Sequence, residues 1–178
     1  MLSPKNYGES ENLDNEFEEF ESEHQKIPPK MKAQYNKQQQ DSEYMRKAKK
    51  KHNQDLWGAA EVGNDKDVQE IINKQRYGET AADVNTVSVD EWTTLHLAAS
   101  EGHYCVAKIL LENNANIDAR TTNLRTPLHI ACLRGKTAMV KLLLNSGADI
   151  NAQDNDGNTP VHLCAEYGHS DLLRILLE

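Results

Sequence analysis

The chain is short of the features that mark several large protein classes. It has three cysteines in 178 residues, without paired spacing. That excludes a disulfide scaffold and predicts free thiols in a reducing compartment. No apolar run approaches the roughly 20 residues that a membrane-spanning helix needs. The opening MLSPKNYGES has no basic flank followed by an apolar stretch, so a secretory signal is not expected. Hydrophobic residues make up only 38% of the chain, low for a chain packed throughout. There is no phosphate-cradling glycine loop, no GxSxG and no HExxH. A soluble, intracellular protein without catalytic machinery, cofactor or metal is expected, cytoplasmic unless a basic cluster discussed below directs it to the nucleus.

The hydrophobic deficit is uneven. Residues 1–54 hold five of Leu, Ile, Val and Phe, about 9%, whereas residues 55–178 hold 31 in 124, or 25%. The first stretch cannot bury a core and reads as a disordered, low-complexity tail; the second can. Charge divides along the same line. The tail has ten acidic and ten basic residues, and the body carries the whole −8. A body of that sign repels phosphate, which argues against nucleic-acid binding by the globular part.

The body repeats itself. Thr126-Pro127-Leu128-His129 is followed 33 residues on by Thr159-Pro160-Val161-His162 and preceded at the same step by Thr93-Thr94-Leu95-His96. Gly102, Gly135 and Gly168 keep this step, and so do the segments starting at Ala82, Ala115 and Ala148 (ADVN, ANID, ADIN). The period and the TPLH-type string resemble the ankyrin repeat. The resemblance covers about 124 of the 178 residues and is closest from Asp154 to Gly168, DNDGNTPVHLCAEYG. Ser88 and Thr121 stand where the pattern has a finger aspartate, and Glu91 and Leu124 where it has glycine. It implies an all-α solenoid of β-turn fingers and paired short helices, with repeats at about 55–85, 86–118, 119–151 and 152–178.

Residue chemistry supports the same architecture. Thr126 suits an N-cap and Pro127 a first helical position. Small residues such as Ala131 and Cys132 permit close helix approach. Gly135 suits a left-handed turn. The second helix is wide in its apolar face (Met139, Val140, Leu142, Leu143, Leu144), as a unit covered on both sides by its neighbours must be. The first repeat is degenerate: Leu56-Trp57 aligns with Leu95-His96 at 39 residues, which places six extra residues in a loop after Ile72. At the other end Leu172, Leu173, Ile175, Leu176 and Leu177 are expected to form an uncapped apolar face. From this a truncated last repeat and a natural chain continuing past Glu178 are expected. The protein is expected to be monomeric unless that face self-associates.

The tail has three parts. Residues 9–23 contain eight acids and no base, with Leu13, Phe17 and Phe20 at helical spacing. They read as a solvated tail or as a motif that folds on a partner. Residues 26–52 are basic and contain Arg46, Lys47, Lys49, Lys50 and Lys51, a cluster of the nuclear-import type. Residues 41–54 contain no Pro or Gly and are expected to form a helix leading into the first repeat, whereas Ile27-Pro28-Pro29-Lys30 is expected to be stiff and extended.

Residues recurring at every 33rd position serve the repeat. His96, His129 and His162 are expected to bond within the finger–helix junction, and His103 and His169 to cap locally. Cys132 and Cys164 read as packing. The unshared positions are left to face a partner. By the ankyrin resemblance these are Val89, Asp90, Trp92, Ser100 and Glu101 in the second repeat. In the third they are Thr122, Asn123, Arg125, Leu133 and Arg134, and in the fourth Asn155, Asp156, Asn158, Glu166 and Tyr167. Trp, Tyr and Arg are enriched at binding hot spots; Trp92 is open between partner anchor and packing against its neighbour. The function expected is a non-catalytic module binding a protein partner, one with a basic face given the body's charge. Two alternatives stay open: a regulatory or targeting segment of a larger enzyme, for example a kinase or acyltransferase, and an inhibitor masking a basic segment of its client.

Overall fold

The computed structural model describes residues 29–74 and 82–177. The acidic segment 9–23 and residues 75–81, most of the expected inserted loop, lie outside them. The chain divides into two units, Met1–Tyr44 and Met45–Glu178. Eight helices occur among the described residues: α1 Pro29–Glu61, α2 Asp65–Lys74, α3 Thr94–Glu101, α4 Tyr104–Glu112, α5 Pro127–Leu133, α6 Thr137–Asn145, α7 Pro160–Glu166 and α8 Ser170–Leu177.

Helix α1 departs from the sequence expectation at both ends. The expected helix 41–54 runs continuously from Pro29 through the first helix of the first repeat to Glu61. Pro29 starts the helix instead of holding an extended spot, because proline lacks only an N–H that a first helical turn leaves unpaired anyway. No proline follows before Glu61, and Gly58 is the one glycine in the run.

Within Met45–Glu178, helices pair inside each repeat (α3 with α4, α5 with α6, α7 with α8) and stack on their counterparts in the next. Helix α3 lies on α5 and α5 on α7, while α2, α4, α6 and α8 form the other row. One buried cluster runs through the stack. It starts at Leu56, Ala59 and Ala60, passes through Leu95, Ala98, Ala99 and Leu110, then Leu128, Ala131, Met139 and Leu143, and reaches Cys164, Leu172 and Leu176. The small residues lie on the first helices, where backbones approach closely. Truncating a fully buried leucine such as Leu143 should cost about 2–5 kcal/mol.

The end face is smaller than the sequence suggests. Of its five expected residues, Leu172 and Leu176 are buried, Leu173 and Ile175 half-buried, and Leu177 alone exposed. Burial against their own repeat covers them from the inner side. Relative to the preceding repeat, Leu173 and Leu177 lose cover, and so do His162 and Ala165, whose counterparts His129 and Cys132 are fully buried.

The repeated ADVN-type segments lace the turns together. Asn85 accepts from the Asn116 N–H (2.7 Å) and donates to the Asn114 carbonyl (3.1 Å). Asp118 accepts from the Asp149 N–H at 3.0 Å. Each short polar side chain therefore satisfies backbone of the following turn, which regular secondary structure does not reach.

Candidate finger-tip interface

The fingers hold one geometry with three different sequences. In the fourth repeat Asp154 Oδ1 accepts from the N–H groups of Asp156 (3.0 Å) and Asn158 (2.9 Å), and the Gly157 N–H returns to the Asp154 carbonyl (3.0 Å). Gly157 has φ 77°. In the third repeat the Thr121 hydroxyl takes over by accepting from the Arg125 N–H (3.2 Å), and in the second Ser88 does the same for Trp92 (3.2 Å). Leu124 and Glu91 adopt φ 56° and 58°, the left-handed region that glycine fills without penalty. The turn thus survives the loss of both signature residues, at about 1–2 kcal/mol of strain per residue.

Behind each finger a threonine–histidine box fixes the first helix. Thr93 Oγ1 accepts from the His96 N–H, and His96 Nδ1 accepts from the Thr93 N–H at 3.1 Å. The same ring reaches forward, Nε2 donating to the Arg125 carbonyl of the next finger at 3.0 Å. His129 repeats the arrangement on Thr126 and the Asn158 carbonyl, also at 3.0 Å. Both rings are fully buried. Burial drives the His96 pKa down to about 4 and lowers that of His129, despite the carbonyl bonds acting the other way. These histidines are neutral struts between repeats.

His103 and His169 act across repeats, which corrects the expectation of local caps. His103 Nε2 donates to the Glu61 carbonyl at 2.9 Å, and His169 Nε2 to that of Leu133 at 3.3 Å. Each ring lies over a glycine of the preceding repeat: a Cβ on Gly63 or Gly135 would come within 2.6 or 2.7 Å of it.

On this frame the fifteen expected contact residues divide. Val89 is 97% exposed and Tyr167 53%. Asp90, Glu101, Thr122, Asn123, Arg134, Asn155, Asp156 and Glu166 are exposed as well. Leu133 is half-buried. Trp92 is half-buried too, its ring 5.9 Å from that of His96 and tilted by 47°. Ser100 is a correction: it is buried, because the close helix approach at the small-residue positions covers it. Arg125 and Asn158 are half-buried and serve the stack. The Arg125 Nε donates to Asp154 Oδ2 at 3.2 Å, and the Asn158 carbonyl receives His129. Burial pushes the Asp154 carboxyl up, but the Asn158 N–H, the Arg125 guanidinium and the Asp156 N–H outweigh it and hold the carboxyl below its usual range.

Neighbouring fingers are also joined by backbone. The Thr122 N–H donates to the Asp90 carbonyl (3.2 Å) and the Asn155 N–H to that of Asn123 (3.1 Å). The tips therefore present their outward side chains from one braced row. The family description "Ankyrin repeats (3 copies)" matches residues 56–154 and again 118–178. The chain belongs to the ankyrin-repeat family. No curated protein matches it. Ankyrin repeats are in general protein–protein interaction modules. Cys132 and Cys164 are buried, with thiols pushed up chiefly by burial and so poorly nucleophilic. Among the described residues, no group of three or more His, Cys, Asp or Glu could hold a metal, and no helix is long and apolar enough to cross a membrane.

Proposed function

We propose that this chain binds a protein partner without chemistry, through finger tips and adjoining ends of the first helices. The observation that carries the reading is the separation of roles. Side chains recurring every 33 residues are committed to the stack, whereas the tips carry unlike and exposed residues: Val89 and Asp90, Thr122 and Asn123, Asn155 and Asp156. Arg134, Glu101, Glu166 and Tyr167 continue that surface on the helix ends. A braced row of this kind loses little conformational entropy on docking.

The charge of the surface defines the partner further. Asp90, Glu101, Asp156 and Glu166 are exposed, and Arg134 is the exposed cation among the fifteen residues. A client with a basic face associates faster with such a surface, and the advantage fades as salt rises. The test compares proteins captured from lysate by the full chain with those captured by a Val89→Ala, Arg134→Ala, Tyr167→Ala variant of unchanged circular dichroism. Partners lost with the variant support the finger-tip reading; partners captured equally by both refute it.

A further inference from the structure

A groove of about 450 Å³ lies beside the first repeat; none of the fifteen residues lines it, although it abuts the base of the finger that carries Val89 and Asp90. One wall is a face of helix α1, formed by Lys50, Asn53, Trp57, Gly58 and Glu61, and the other is the segment 86–88 that leads into the finger of the second repeat. Its origin is a break in the repeat. Trp57 occupies the register of His96 and His129, but indole has no acceptor nitrogen with which to make the threonine box. The ring stays half-buried, and Val87 opposite is 56% exposed. Gly58 leaves the floor open, since a Cβ there would meet nothing within 4 Å.

The groove is polar at its ends and graded in charge. Lys50 lines one end and Glu61 the other, eleven residues or about 16 Å apart along the helix. Arg46 lies one turn before Lys50 at the i−4 position of the same face, and both are exposed. Five of the six residues from Arg46 to Lys51 are basic, in a protein whose net charge is −8. A nucleic acid is the poorer occupant, because its uniform phosphate charge would meet Glu61 and the acidic repeats.

We propose that this groove docks an acidic segment of a protein partner, one bulky apolar side chain seated between Trp57 and Val87 and its carboxylates facing Lys50 and Arg46. None of its lining residues is among the fifteen, and its Lys50–Arg46 end is opposite in charge to the acidic tips, so the chain can hold two partner segments of different composition.

The test uses the full chain against an array of octapeptides that varies net charge and one central Phe, Leu or Trp. The expected result is selection of acidic peptides with that anchor, at least tenfold weaker for Lys50→Glu and for Gly58→Gln. The second variant fills the groove while replacing a helix-interior glycine by a better helix former, so its loss of binding cannot come from unfolding. Tyr167→Ala should leave the selection unchanged, which separates this proposal from the finger-tip reading. Selection of basic or neutral peptides, no selection, or selection unaffected by Gly58→Gln would overturn it. So would preference for single-stranded oligonucleotides, or a concentration-dependent dimer abolished by Gly58→Gln, which would assign the groove to a second copy.

Discussion

Acid should loosen this stack well above the pH at which carboxylates titrate, and His96 sets the size of the effect. In the folded protein its Nδ1 accepts from the Thr93 N–H and its Nε2–H donates to the Arg125 carbonyl. A proton on Nδ1 would place two donors face to face in a site fully closed to water. The folded pKa is accordingly lowered to about 4 from 6.5. Between those values the unfolded chain binds the proton and the folded chain does not, so stability is complete above about pH 6.5 and falls as pH drops toward 4. At pH 5 linkage gives a loss of about 2 kcal/mol from His96, and below pH 4 about 3 kcal/mol. His129 is shifted in the same direction and adds to it. Urea unfolding at pH 7.5 and 5.0 reads this directly. With a slope of roughly 1–3 kcal/mol/M, 2 kcal/mol moves the midpoint down by about 0.7–2 M. Equal midpoints at the two pH values, or a His96 ring that titrates near 6.5 in the folded protein by NMR, would refute the reasoning.

Other substitutions follow from the repeat register. Thr94 has a buried hydroxyl without a partner and sits where the next two repeats have Pro127 and Pro160. Thr93 before it is extended, at φ −97° and ψ 166°, as a residue preceding proline must be. Thr94→Pro should therefore raise thermal stability by about 0.5–1 kcal/mol, and a loss would show that the N–H or methyl of Thr94 has a role the geometry does not reveal. Glu91→Gly and Leu124→Gly should each stabilise by about 0.5–1 kcal/mol in urea titration, as relief of left-handed strain exceeds the entropy cost of glycine. Arg125→Ala should destabilise by about 2 kcal/mol, because Asp154, 1% exposed in its side chain, loses its charged partner while keeping its backbone N–H bonds. An unchanged urea midpoint for Arg125→Ala would return Arg125 to the set of residues free for a partner.

Much of the fold was legible because the repeat writes the same physical requirement several times. The TPLH string marks a cap, a first helical turn and a strut to the next finger, and three copies in register make chance coincidence remote. Signals carried by a single residue were harder to read. Glu91 and Leu124 hide a turn that Gly157 announces, because the bracing hydroxyls of Ser88 and Thr121 look like ordinary loop polarity. The reach of His103 and His169 depends on glycines 40 and 34 positions earlier, Gly63 and Gly135, whose role shows only when the repeats are stacked. Ser100 is polar and sits next to Glu101, so its burial follows from helix packing alone. The length of α1 is hidden in the sequence because a proline pair looks like a boundary, although Pro29 is compatible with a first turn. At the surface the sequence separates scaffold from free positions but does not weigh them, and Arg125 and Asn158 appear variable while bonding to the next repeat.

The most direct test of the finger-tip account is hydrogen–deuterium exchange of the full chain, free and saturated with a captured partner. The account predicts new protection at 89–92, 122–125 and 155–158 and at the helix ends near Arg134 and Tyr167, with helices α4, α6 and α8 unchanged. Protection confined to those second-row helices, with the tips exchanging as in the free protein, would contradict it.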